Sequence, residues 1–334
     1  MATQTGEPDE TGGQTRSSAG RAIEPAPAAT VTIVVPAYGV GDMLADAIDS
    51  VLAQDRPDWR LIVVDDGDRR VRPHVEPYLG DPRITLLETD NGGLPTARNR
   101  AIAQSTTPYV ALLDGDDMLE PDYVSALVAA LEADSGAGFA TGDASFFGAD
   151  RVGELFSSYC PQAGPPTLEK LIRREFNVFG LTMMRREAIE GIGGFDTSLR
   201  SSEDLDAWIR LMAAGWRLAH VPRPLARYRR REGQMSGNTP VMLQTAHAVM
   251  DKARRELGDR PEAAAAAEMC RRIEHDMAIE QAFARIRAGQ HRAGVADLVR
   301  LGVGDRSPRW RRALALMRFA PFLAPLLLRL REHV

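Results

Sequence analysis

Tyr109-Val110-Ala111-Leu112-Leu113-Asp114-Gly115-Asp116-Asp117 passes from five apolar residues straight into three carboxylates. The apolar run has the length of a buried strand, and the polar stop marks its carboxyl end. The same shape occurs twice upstream. Val31 to Val35 runs into Pro36-Ala37-Tyr38, and Arg60 to Val64 runs into Asp65-Asp66-Gly67. A further strand is predicted over Arg83 to Leu87. Helical patterns fill the gaps: Asp42 to Gln54, with Leu44, Ala47, Ile48, Val51 and Leu52 on one face, then Thr96 to Gln104, then Pro121 to Glu132. Strands alternating with helices at this spacing predict an α/β fold with a mostly parallel central sheet flanked by helices. Ligands in such sheets bind beyond the carboxyl ends of the strands. Asp and Gly after a single strand are also ordinary turn residues. Three polar strand ends together predict one shared site.

Composition narrows the class. The 334 residues are 44% hydrophobic and 26% charged, as in a globular protein with a core of useful size. Lys+Arg number 41 against 46 Asp+Glu, a net charge of -5, which weighs against a nucleic-acid binder. The two cysteines, Cys160 and Cys270, are far apart and form no CxxC pair, so neither a disulfide framework nor a zinc site is expected. Residues 1–29 are rich in Gly, Thr, Ser, Pro and Ala and read as a disordered tail. They lack the basic start and apolar run of a secretory signal. No apolar run reaches the ~18 residues of a membrane span. The expected location is the cytoplasm, or the inner face of its membrane.

Asp114 and Asp116 lie two apart after a strand, so both can be aimed at one point. Hard cations such as Mg²⁺ or Mn²⁺ take few protein oxygens and fill the remaining positions with water and substrate phosphates. A short acidic motif at a strand end therefore suits a metal-bound nucleoside diphosphate. Neither the GxGxxG fingerprint nor the phosphate loop GxxxxGK[ST] is present, so a nucleotide would be held by side chains and metal.

Six segments in order then resemble the family 2 glycosyltransferases of GT-A fold, in particular those of bacterial surface polysaccharides. They are Val31 to Tyr38 (VTIVVPAY), Leu61 to Gly67 (LIVVDDG), Asn91 to Asn99 (NGGLPTARN), Leu112 to Asp117 (LLDGDD), Asn177 to Asp196 with its GGFD, and Glu203-Asp204 followed by Trp208 to Leu211. The resemblance covers residues 31 to about 238. It implies inverting transfer of a hexose or N-acetylhexosamine from a nucleoside-diphosphate donor, UDP being favoured, to a saccharide or lipid-linked hydroxyl, with Mn²⁺ or Mg²⁺ as cofactor. It also implies residue roles. Pro36 and Tyr38 lie beside the base, Asp66 accepts from it, and Arg98 lies near the diphosphate or braces the Asp motifs. Asp116 ligates the metal. Asp114 assists through the metal or the ribose. Asp117 and Trp208 face the donor sugar or acceptor. Asp204 is the general base, with Glu203 as its partner. Ser201 or Ser202 followed by acids also suits a helix cap. A natural-product or peptide acceptor, and a non-catalytic sugar- or nucleotide-binding protein, are the alternatives.

One departure stands out. Arg231 occupies the position where many members of the family carry a His near the metal. A guanidinium cannot ligate a metal but pairs with phosphate oxygens. Gln234-Met235-Ser236 suits a lid. The expected organisation is a tail over 1–29, a GT-A domain over 30–240 (30–118 the nucleotide half, 119–240 the acceptor half) and a helical extension over 241–334. Met277 to Leu298 predicts a helical hairpin turning near Gly289. At the end, Arg306, Arg309, Arg311, Arg312 and Arg318 precede the apolar stretch Phe319 to Leu328. That pattern suits either a membrane-surface anchor or a terminal helix packed on the enzyme.

Overall fold

The computed structural model describes residues 29–231, 233–234 and 237–329. Nearly all of the expected tail, and Met235 and Ser236 of the expected lid, lie outside the described residues.

The chain runs β1 (Val31–Ala37), α1 (Met43–Leu52), β2 (Trp59–Asp66), α2 (Arg72–Val75), β3 (Ile84–Thr89), α3 (Leu94–Gln104), β4 (Tyr109–Leu112), β5 (Met118–Leu119), α4 (Tyr123–Ala133), β6 (Ala137–Gly148), α5 (Leu168–Ile172), β7 (Thr182–Arg185), α6 (Arg186–Gly191), α7 (Glu203–Ala213) and β8 (Arg217–Arg230). Helices follow: α8 (Thr239–Leu257), α9 (Pro261–Arg287), α10 (His291–Arg300), α11 (Pro308–Phe319) and α12 (Ala324–Arg329). The strands form one sheet in the order β3-β2-β1-β4-β7-β6-β8-β5. Pairings β1–β2, β1–β4, β2–β3 and β6–β8 are parallel, whereas β7 and β5 pair antiparallel. The sheet is thus mostly parallel, with helices on both faces.

Strand alternation builds two cores. Ile33, Val35, Leu61, Val63 and Ala111 face one way and pack with α1 and α4 residues such as Leu44, Ile48 and Leu127. Val34, Ile62, Val64, Val110 and Leu112 face the other way, toward α3, α7, α8 and α9. Both faces of these strands are covered, which is why they read as continuous apolar runs. The helices from α8 to the middle of α9 share the second core. Residues 279–328 close a separate cluster around Phe283, Leu298 and Met317. The predicted hairpin is α9–α10, and Gly289 takes φ +83° at its turn. Cys270 is buried and both cysteines are free. Among the described residues no helix is long and apolar enough to cross a membrane.

Candidate active site

Parallel register sets β1, β2 and β4 side by side with their carboxyl ends together. They open into a cleft of about 780 Å³ lined by Pro36, Ala37, Tyr38, Asp66, Asp114, Gly115 and Asp116. The predicted convergence of three strand ends is therefore present. Tyr38 is 61% exposed, a ring on the cleft wall and not a core aromatic. Gly115 has a local reason: a Cβ there would sit 3.1 Å from the Pro36 carbonyl, so the acidic loop lies close against the end of β1.

The LIVVDDG and NGGLPTARN segments form one structural unit. Both oxygens of Asp66 accept backbone N–H groups, from Gly92 and Gly93, each at 2.8 Å. Gly67 takes φ +83°, and a Cβ there would come within 2.8 Å of Asn91 N. A side chain at Gly67 would push the loop off Asp66. Asp66 thus shapes the loop while remaining on the cleft wall. Arg100 Nη1 lies 3.6 Å from its Oδ1; a carboxylate has about four acceptor positions, so these partners still leave room for a ligand.

Arg98 is buried between the two walls. Its Nη2 donates to Asp114 Oδ1 at 2.8 Å and its Nη1 to Glu203 Oε1 at 2.6 Å. Of its two expected positions it takes the brace. Burial pushes the Glu203 carboxyl up to about 7; Arg98 opposes that rise, and the charges of Asp204 and Asp114 add to it. Asn99 closes the same unit: its side chain donates to the Phe195 carbonyl at 2.7 Å and accepts from the Phe195 N–H at 2.8 Å. A Cβ on Gly194 would meet Asn99 Oδ1 at 2.6 Å, which explains a glycine in GGFD.

Asp204 lies in the first turn of α7 and lines the cleft beside Gly180. A Cβ on Gly180 would lie 3.5 Å from Asp204 Oδ2. That is ordinary contact distance, and the other oxygen, Oδ1, accepts from Leu205 N at 2.7 Å. The expected serine cap is not made. Ser202 sits at φ +59° and makes no side-chain cap, because its hydroxyl and that of Ser201 turn to Thr245 on α8, at 3.3 and 2.7 Å. Lys252, also on α8, donates to Asp196 at 2.6 Å and pairs with Asp206 of α7 at 2.8 Å.

Two expected sugar-facing residues are elsewhere. Asp117 is buried and accepts the Arg229 backbone N–H at 2.8 Å, fastening the acidic loop to β8. Burial, then the neighbouring Asp114 and Asp116, hold its carboxyl well above the ordinary range. Trp208 is buried and stacks on Phe139 at 5.2 Å, a core contact worth roughly 0.5–1.5 kcal/mol beyond its burial. Both lie where the sheet and α7 pack, a packing that their neighbours in sequence do not reveal. Gln234 of the expected lid lines the cleft, and so do Thr197, Ser198, Arg200 and Met242, which no motif announces.

Arg231 also lines the cleft, and its Nε donates to Asp116 Oδ2 at 2.9 Å. Among the described residues no group of three or more His, Cys, Asp or Glu could hold a metal ion. The donor set still fits a hard cation of the kind that takes one or two carboxylates and completes its shell with diphosphate oxygens and water. Asp114 and Asp116 are the carboxylates that the acidic loop presents on the cleft wall.

Residues 32–193 match the family described as glycosyl transferase family 2. Over those residues the chain is similar to a family 2 glycosyl transferase domain. Succinoglycan biosynthesis protein ExoO of Rhizobium meliloti (strain 1021) is 31% identical over 221 residues, which cover 62% of this chain and 62% of ExoO. The chain therefore spans less than two thirds of that relative. The solved structure of S. aureus TarS 1-349 in complex with UDP-GlcNAc has a TM-score of 0.63 at 18% identity, covering 89% of this chain and 87% of that one. The mannosyltransferase PcManGT from Pyrobaculum calidifontis, in complex with GDP-Man and Mn²⁺, has a TM-score of 0.56 at 20% identity, covering 91% and 90%. At these identities the likeness is one of fold, and the fold of the family 2 domain is GT-A.

Proposed function

We propose that the protein is an inverting glycosyltransferase that moves a hexose or N-acetylhexosamine from a UDP-sugar to an acceptor hydroxyl in surface polysaccharide or glycolipid synthesis. One observation carries this reading: a single cleft holds three strand-end segments on one wall and the Asp204 carboxylate on the other. The family 2 match, ExoO's part in succinoglycan biosynthesis and the UDP-GlcNAc complex of TarS support it.

Each residue has a task in this mechanism. Tyr38 packs against the base, and Asp66 accepts the imide N–H of uracil with the positions left by Gly92 and Gly93. Asp204 takes the proton of the acceptor hydroxyl as its oxygen attacks the anomeric carbon. The bond from that carbon to the diphosphate oxygen breaks on the opposite face, so the configuration inverts. Arg231 moves from Asp116 to the diphosphate, where a planar guanidinium pairs with phosphate oxygens. A divalent cation on Asp116, with Asp114 beside it, would neutralise negative charge growing on the departing diphosphate. Glu203 and Arg98 keep the two walls in register.

The test is thermal-shift binding of UDP, GDP, dTDP and CDP, each with and without Mn²⁺. A ligand of the native state raises the melting temperature with the logarithm of its concentration over Kd. The expected result is a shift with UDP that grows with Mn²⁺. No shift with any nucleotide would overturn the donor site and favour a protein that kept the fold without the reaction.

A further inference from the structure

Large apolar side chains stand out in solvent on one short stretch of the chain. Phe319 is 92% exposed, Phe322 72%, Leu326 60% and Leu316 46%. All four fall within eleven residues: Leu316 and Phe319 on α11, Phe322 in the turn after it and Leu326 on α12. The patch is not an unfinished core. α11 already spends its other face inside the protein: Leu314 and Met317 are buried in the C-terminal cluster, and Trp310 lies 5.9 Å from Phe283 of α9. The two sequence expectations for this segment thus occupy opposite sides of the same helix.

Charge says what the outer face fits. α11 reads PRWRRALALMRF, with four arginines and no acid, in a chain of net charge -5. Arg309, Arg311, Arg312 and Arg318 are exposed. Most arginines of the sheet domain pair with carboxylates, Arg72 with Glu88 and Arg217 with Asp134 among them. Among the described residues these four make no such pair. Aromatic and leucine side chains flanked by unpaired arginines are the composition of a helix lying in the headgroup layer of an anionic bilayer. A second copy of this chain would bring four like charges against four others.

We propose that the α11–α12 face docks the protein on an anionic lipid bilayer. Phe319, Phe322, Leu316 and Leu326 enter the boundary between headgroups and acyl chains, and the four arginines meet lipid phosphates. The consequence for the reaction rests on the transferase reading. Leu328 of α12 and Phe283 of α9 line a cavity together with Arg231 and Gln234, which also line the donor cleft. Docking therefore holds the cleft at the surface where a lipid-linked acceptor resides.

The experiment is co-sedimentation of the full chain with vesicles of phosphatidylglycerol and phosphatidylcholine mixed, against pure phosphatidylcholine, at low and high salt. The wild type is expected to pellet with the anionic vesicles, less at high salt and least with phosphatidylcholine. Phe319→Ser with Phe322→Ser should lower the bound fraction at least ten-fold at the same lipid concentration. Arg311→Gln with Arg312→Gln should weaken anionic binding roughly ten-fold or more, since each basic residue near such a surface contributes on the order of five-fold. Both variants should keep the wild-type melting temperature and UDP shift. That separates failure of docking from failure of the donor site and from misfolding. The proposal is overturned if the wild type stays in the supernatant with anionic vesicles. It is equally overturned if the Phe variant pellets undiminished, or if the wild type is a dimer that the Phe variant dissolves without any vesicle binding.

Discussion

On the donor wall of the cleft, the candidate residues sit at strand ends and in the loops that follow. On the base wall, Asp204 sits in the first turn of a helix whose start is held by residues from two remote parts of the chain. The donor wall is held by the sheet: Asp66 holds Gly92 and Gly93, Gly115 lets the acidic loop lie on β1, and Arg229 and Arg231, at and just past the end of β8, reach Asp117 and Asp116. The base wall depends on Arg98, 105 residues from Glu203, and on Thr245 and Lys252 from α8. Ser202 stands at φ +59°, where a non-glycine residue costs of order 1–3 kcal/mol. The contacts to α8 hold that turn, and the turn sets the direction of α7. A wall made from strand ends is fixed by the sheet itself. A wall made from a helix start needs a latch.

The contrast can be broken at several points. Asp204→Asn should lower turnover by roughly 10²–10⁴-fold while the UDP-induced thermal shift stays at the wild-type value. Equal loss of binding and turnover would make Asp204 a structural residue and erase the difference between the walls.

Arg98→Ala should cost about 3–5 kcal/mol of stability, because it strands a buried carboxylate without its partner. Urea unfolding reads this directly, and Arg98 is the one change expected to damage both walls together. An undiminished midpoint would mean that each wall stands alone.

The latch is sharper still. Thr245→Val should lower kcat about ten-fold with donor KM unchanged, less than the hundred-fold that a 1 Å misplacement brings. Thr245→Ser, which keeps the hydroxyl, should restore it. If Val and Ser variants behave alike, α8 does not aim Asp204.

The smallest expected effect concerns pH. The Glu203 carboxyl is raised by burial to about 7, above its ordinary 4.5. The protonated form is therefore the one the fold favours. Its stabilising share is fully present below pH 4.5 and is lost as pH rises through 7. Glu203→Gln should flatten the stability profile between those values in thermal melts. A wild-type profile retained by the variant would place the titration elsewhere.

These comparisons also explain what could be read in advance. The strand ends are legible because a strand covered on both faces must be apolar and stops where polar residues begin. The places of Pro36, Tyr38, Asp66, Asp114 and Asp116 on the cleft lining follow from that rule together with the family resemblance. Asp117 and Trp208 were misplaced for the converse reason. Each lies beside a true cleft residue in sequence or on its helix, yet the packing of β8 and of Phe139 turns it inward. Nothing local distinguishes a carboxylate that faces a ligand from its neighbour that fastens a strand.

The sequence by itself determined the alternating α/β plan, the acidic strand ends and the arginine-rich, apolar finish, since each depends on periodicity or on neighbours within a few residues. Only the tertiary structure decided that Arg98 braces two carboxylates, that Arg231 rests on Asp116, that α8 latches the helix of Asp204, and which face of α11 is left outside. Those depend on pairings between residues far apart in the chain, and an ion pair or a helix's outward face exists only once the folded elements have met.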